Sequence, residues 1–240
     1  MIEFYTNLSP SLKTSLIITL FLIVFLSIIG KKAARLDPRS TPKGIVFIMI
    51  MFVDTLNNFI KEFYGKNWRR YTPILMAILL FLALANTSAL FGLANPLANI
   101  NIALGFSIFA FLTIQIAGLI ARRPKNRLKD LSSPNAMLLP LNLISEISTP
   151  LAMGLRLFGN LISGSIMMVV VFQMLNIVGD MLGNIGPWVS GLGNTVITTA
   201  ILHPIFNIGF GLIQAFVYFM LLTVFLSMAI EEPIVEEEAA

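Results

Sequence analysis

The sequence predicts an all-α polytopic membrane protein, with about five membrane-crossing helices and one amphipathic helix lying along the membrane interface. Three observations predict it. First, 57% of the 240 residues are hydrophobic and only 12% are charged, with a mean hydropathy of +0.87. A soluble domain carries roughly 25% charged residues, so there is too little polar surface here to cover a water-soluble globule. Second, the apolar residues fall in runs long enough to cross a bilayer, which takes ~20 residues of helix. Third, the basic residues are gathered: of 16 Lys and Arg, five lie in 31–43, four in 61–70 and five in 122–129, leaving only Lys13 and Arg156 elsewhere. That placement explains the net charge of +4 and removes it as a nucleic-acid signal. The expected surroundings are membrane lipid, with no nucleic-acid partner.

The first apolar run, about 14–30, is followed by Lys31, Lys32 and Arg35 rather than a small-residue cleavage site. It reads as an uncleaved span and not as a signal peptide. At about 43–63, Asp54, Asn57, Asn58, Lys61 and Glu62 are scattered among apolar residues, which suits a helix lying on the interface. Further spans are expected at about 72–94 and 99–121. Two longer apolar segments follow, about 134–178 and 192–230. Against a ~30 Å hydrocarbon core they must tilt, kink or run partly along the plane, and Pro150 and Pro204 are the candidate kinks. The stretch Gly179 to Asn194, rich in Gly and Asn, reads as the loop joining them into a hairpin. Lys and Arg mark cytoplasmic loops, so the basic clusters put the N-terminus outside and the C-terminus in the cytoplasm, with five crossings. Trp68 and Trp188 read as interface anchors, and EEPIVEEEAA as a short solvated end. No internal repeat is visible, and residues 1–240 read as one membrane domain.

The chemistry-bearing residues are few. There is no Cys and a single His, His203, which leaves no thiolate chemistry and makes a metal site or a Ser-His-Asp triad an unpromising reading. No cofactor and no catalytic residue are expected. Ionisable side chains inside spans are functional candidates by default, and there are three: Glu146 and Arg156 on the first long segment and His203 on the second. At ~100° per residue, Asn160, Ser163 and Met167 fall within about 40° of Arg156 on one helix face. Gly154, Gly159 and Gly164 would let another helix approach closely. On the second segment Asn207 and His203 stand seven and eleven residues before Gln214, which returns both to its face within about 20°. Polar groups facing each other across a tilted hairpin are what an ion pathway needs. Glu146 lies ~15 Å along the helix from Arg156, too far for an ion pair within a straight helix. The residues alone also allow blander readings: Arg156 neutralised by a carboxylate elsewhere in the chain, Glu146 snorkelling to the cytoplasmic surface, and His203 capping or kinking a helix before Pro204.

Three stretches carry a more specific resemblance. LNLISEISTPLAMGLRLFGNLISG resembles the signature helix of the F-type ATP synthase subunit a family, IQAFVYFMLLTVFLSMA its final helix, and PLANINIALGFSIF the segment after its central outer loop. The order of elements agrees over nearly the whole chain. The resemblance implies a non-catalytic stator subunit of a bacterial inner (plasma) membrane. Its two long helices would form a hairpin against a ring of c subunits, with b-type peripheral stalk subunits as further partners. It implies that Arg156 faces the ring as the essential arginine, that Asn160 and Gln214 are its polar neighbours, and that Glu146 lines a half-channel on the cytoplasmic side. A buried cation is tolerated when a passing carboxylate of the rotor compensates it, and it favours the ionised form of that carboxylate. The chain departs from the family where many proton-coupled members carry a Glu nine residues after the arginine and a His seven before the Gln; here these are Ser165 and Asn207. The outer half-channel is then expected to be lined by His203, Asn207, Gln214 and Ser165. The family as a whole points to protons, and the two substitutions pull towards Na⁺.

Other classes fit less well. A secondary transporter usually shows two related halves, and an intramembrane enzyme needs a nucleophile with a base, or a metal site.

Overall fold

The computed structural model describes residues 9–35, 43–121, 137, 139–202 and 204–230. Helix α1 spans Pro10–Ala34. It starts where Ser9 accepts a hydrogen bond from the Leu12 N–H at 3.4 Å and Pro10 takes the first position, whose N–H would be unpaired anyway. It ends on Lys31 and Lys32, cations that suit a helix C-terminus.

Helix α2 spans Ile45–Tyr64 and buries Leu56, Ile60 and Tyr64, which recur every four residues and so form one stripe. Its other side exposes Ile48 and Met51. Asp54, Lys61 and Glu62 keep it outside the set of five described helices that are long and apolar enough to cross a membrane, in agreement with an interfacial helix. Gly65, at φ +50°, turns the chain into α3. At that elbow Trp68 is half-buried, with the Lys61 ammonium 4.7 Å and the Arg69 guanidinium 5.3 Å from its ring, as an anchor between apolar and charged layers would be.

Helix α3, Trp68–Thr87, runs on through a 3₁₀ turn at Ser88–Phe91. A second 3₁₀ turn, Pro96–Ala98, leads into α4, Ile100–Ala121. Helix α5 is continuous from Leu139 to Met181, 43 residues, or ~65 Å at 1.5 Å per residue. Pro150 sits buried inside it. The basic cluster at 122–129 and the acidic end lie outside the described residues.

The hairpin differs from the sequence expectation in two ways. Gly179 to Asn194 is not a loop: Gly179–Met181 close α5, and a 3₁₀ turn at Gly183–Ile185 reverses the chain with Gly183 at φ +59°. Helix α6, Gly186–Gly193, then begins the return arm. The glycines there serve close packing: a Cβ on Gly179 would meet the Gly186 carbonyl at 2.9 Å and the Ser190 Cβ at 2.7 Å. Nor is the return arm one regular helix. Two π-helical stretches, Asn194–Leu202 and Ile205–Phe210, precede α7, Gly211–Ile230. A π turn bonds i to i+5 and advances fewer degrees per residue than an α turn. The 100° rule that brought His203 and Asn207 onto the face of Gln214 therefore does not carry across residue 210.

The core lies among α2, α3, α4 and α7, where Ile60, Leu75, Leu82, Ala110, Phe219 and Leu222 are buried. Two tyrosines stitch it across the apolar interior. The Tyr64 hydroxyl donates to the Thr223 carbonyl at 2.9 Å, and that of Tyr218 to the Phe106 carbonyl at 2.8 Å. Burial, and secondarily the neighbouring Tyr71, holds the Tyr64 hydroxyl well above the ordinary tyrosine range, so it stays a donor. Helix α5 joins this bundle from one side. Gly154 meets α4 so closely that its missing side chain leaves room for Ser107, whose hydroxyl donates to the Leu151 carbonyl at 3.4 Å.

Candidate functional site

The site is organised by the two sides of α5. Its inner stripe, Pro150, Met153, Gly154, Leu157 and Gly164, is buried against the bundle and the return arm. Of the expected small-residue contacts, Gly154 packs on α4 and Gly164 lies against the Phe206 ring, 3.4 Å from where its Cβ would be. Gly159 meets nothing within 4 Å. It stands on the outer side.

Arg156 belongs to that outer side, with Gly159, Ser163, Ile166, Met167 and Val170, all exposed. Among the described residues Arg156 has neither a hydrogen-bond nor an ion-pair partner, so none of the described carboxylates neutralises it. Glu146 is half-buried ten residues earlier on the same helix, with interactions of its own. In a bilayer an unpaired guanidinium costs ~2.5–3.5 kcal/mol even on permissive insertion scales. A chain that tolerates this has its counter-charge elsewhere.

Asn160 stands at the edge of this face, half-buried, and its side-chain N–H donates to the Phe210 carbonyl at 3.4 Å. Beyond it opens a cleft of about 430 Å³ between the end of α3, the Pro96–Ala98 turn, the middle of α5 and the return arm. Asn86, Asn95, Asn160, Ser165 and Phe206 line it. Among the described residues its polar groups are amides and a hydroxyl, and none of the side chains lining it is charged. The Ser165 hydroxyl donates to the Ile162 carbonyl at 2.8 Å, which leaves its oxygen able to accept. Asn95 accepts from the Leu97 N–H at 2.9 Å, while its buried side-chain N–H₂ is unpaired. A cleft of this size has room for several waters.

The residues expected from the sequence thus divide. Arg156 and Ser163 share the outer face, and Asn160 and Ser165 reach the cleft. Gln214 is buried between helices with its Nε2 unpaired, and it is not among the residues lining the cleft. His203 and the side chain of Asn207 lie outside what the structure describes. Asn86 and Asn95 were not anticipated. Asn86 carried a signal, being an amide near the end of an otherwise apolar span, where polar residues are costly. Asn95, just before Pro96, has the pattern of an ordinary turn.

Residues 13–227 match the family described as ATP synthase A chain. The chain belongs to that family. It is 26% identical over 170 residues to the ATP synthase subunit a of Moorella thermoacetica, covering 70% of this chain and 78% of that one. With the subunit a of Solidesulfovibrio magneticus it shares 28% over 216 residues, 88% of this chain and 82% of the relative. With that of Chlorobium phaeobacteroides it shares 28% over 171 residues, 68% of this chain but only 50% of the longer relative. Membership in the ATP synthase A chain family makes this multi-pass chain a component of the membrane sector of an ATP synthase.

Proposed function

We propose that the chain is the ion-translocating stator subunit of an F-type ATP synthase. In this reading it passes H⁺ through two half-channels to and from the carboxylates of a c-ring, and itself carries no catalytic residue. The carrying observation is the exposed Arg156, without a partner among the described residues, on a largely apolar, glycine-relieved face of α5. A carboxylate brought past that face by a second protein supplies the missing charge. The guanidinium then favours its ionised form, so the ion must leave before the carboxylate passes. The same fixed cation blocks a direct leak between the half-channels. Glu146 serves the cytoplasmic half-channel and the amide- and hydroxyl-lined cleft the outer one. The N-terminus is outside, the C-terminus is in the cytoplasm, the membrane is the bacterial inner membrane, and b-type stalk subunits hold the chain against rotation.

The test is proximity. The chain has no native Cys, so Gly159→Cys in the assembled complex should form a disulfide with a cysteine placed on the outer helix of the c subunit. Leu157→Cys, on the buried stripe, should not. Equal yields from the two would exclude a ring-facing Arg156 stripe.

One observation favours Na⁺ over H⁺: the described residues lining the cleft offer amide and hydroxyl oxygens and no titratable group, and such oxygens suit a hard cation. ATP-driven ion uptake into vesicles with and without Na⁺ separates the two. Under proton coupling His203→Ala slows uptake and changes its pH dependence. Under sodium coupling Asn207→Leu does the greater harm.

A further inference from the structure

Where the return arm changes pitch, between Phe210 in the second π stretch and Gly211 at the start of α7, two amides from two other helices hold it. Asn86 of α3 is 4% exposed and donates its side-chain N–H to the Gly211 carbonyl at 2.9 Å. Asn160 of α5 donates to the carbonyl of the preceding residue, Phe210, at 3.4 Å. The approach of Asn86 depends on the glycine, because a Cβ on Gly211 would lie 2.7 Å from the Asn86 Cβ.

A carbonyl has two lone pairs, so a side-chain amide can bind it without displacing a helical N–H. Successive carbonyls point in different directions around a helix axis, ~100° apart in an α-helix and by a smaller angle in a π stretch. Donors on two consecutive residues therefore grip the helix from two directions, and it cannot turn there without breaking at least one bond. The place matters because a π stretch competes with the narrower α ladder. If the pitch change moved, every residue before it would rotate relative to every residue after it. Gln214 stands one turn beyond the grip, buried, with its own amide unpaired.

We propose that Asn86 and Asn160 are positioning residues that lock the rotation of the last helix at the π-to-α junction and so set the face shown by Gln214 relative to the arm before it. The consequence for transport rests on the ion-translocation reading above; the lock itself does not.

Helix register can be read without transport. A Cβ on Gly164 would stand 3.6 Å from the Phe206 Cβ, within the range of about 3.5–4.5 Å that a disulfide needs. In membranes containing the assembled complex, the pair G164C/F206C should therefore oxidise to an intrachain disulfide. Adding Asn86→Leu removes the donor at similar size. It should lower the yield about fivefold, the effect of losing one buried hydrogen bond on a register equilibrium. Asn86→Gln keeps the donor and should restore at least half of the yield, which a purely space-filling role would not predict. Asn160→Leu, losing the longer bond, should lower it about twofold, and it carries the test alone if Asn86→Leu does not accumulate in the membrane. An unchanged yield in the accumulating Leu variants, or loss of yield in Asn86→Gln equal to that in Asn86→Leu, overturns the proposal. Because oxidation needs no ion flow, that failure is distinct from a failure of Gly159→Cys to meet the ring.

Discussion

Helices α5 and α7 are both apolar enough to cross a membrane, yet the chain treats them oppositely. In the most apolar stretch of α7, 44% of residues are buried within the chain; in that of α5, 6% are. Helix α7 is enclosed by α2, α3 and α4 and pinned by the two tyrosines, with Leu222, Thr223 and Leu226 out of reach of lipid. Helix α5 touches its own chain along one stripe and leaves the other to its surroundings, with a cation on it. Lipid satisfies exposed Leu and Val, but not a guanidinium. The lesson is that burial and charge separate two tasks: α7 supports, and α5 presents.

The largest expected effect breaks the presenting side alone. Arg156→Ala should abolish ATP-driven ion pumping, read as loss of quenching of a membrane-potential dye, while the complex still assembles, since Arg156 touches no described residue. Near-normal pumping would defeat the stator reading. Arg156→Lys should rescue poorly, because a compact ammonium lacks the planar fork of guanidinium.

Next comes the stripe by which α5 joins the bundle. Gly154→Val should destabilise the α4–α5 contact by ~1–3 kcal/mol, the usual cost of overpacking, because any side chain there meets Ser107 and the Ala103 carbonyl. The measurement is the amount of folded subunit recovered after detergent challenge. On the supporting side Tyr64→Phe should cost about 0.5–1.5 kcal/mol, the worth of one hydrogen bond, in the same assay. Smallest in stability is Gly159→Ala, five residues from Gly154 on the same helix. With open space around it, the isolated subunit should become no less stable, and helix propensity favours Ala by up to ~1 kcal/mol. Turnover in the complex should nevertheless fall if a ring helix packs on that face. A stability loss at Gly159 as large as at Gly154 would erase the distinction between the two stripes.

Much of this division was legible in the residues. Arg156 announced itself as a lone cation in an apolar run, and Asp54, Lys61 and Glu62 marked α2 as a helix that does not cross. The five apolar helices fall within or beside the apolar runs of the sequence, but the last begins at Ile208 rather than near 192, because the π stretches occupy the first part of that run. Three features were not legible. Gly179 and Gly186 have the composition of a loop, and only the approach of two helices shows that they are packing residues. The π stretches have no local signature, because i to i+5 bonding is imposed by neighbours rather than by propensity. Asn86 stood out as an amide near the end of an apolar span, but its partner, a carbonyl 125 residues away in sequence, did not.

The open face of α5 also bears on how such a subunit is made. Before its partner arrives, the newly inserted chain carries Arg156 against lipid, with a standing penalty of ~2.5–3.5 kcal/mol or more. Five helices inserted in order would therefore still leave a surface with an uncompensated charge among the described residues. On the ion-translocation reading, the charge that serves the assembled complex is a liability in the chain alone.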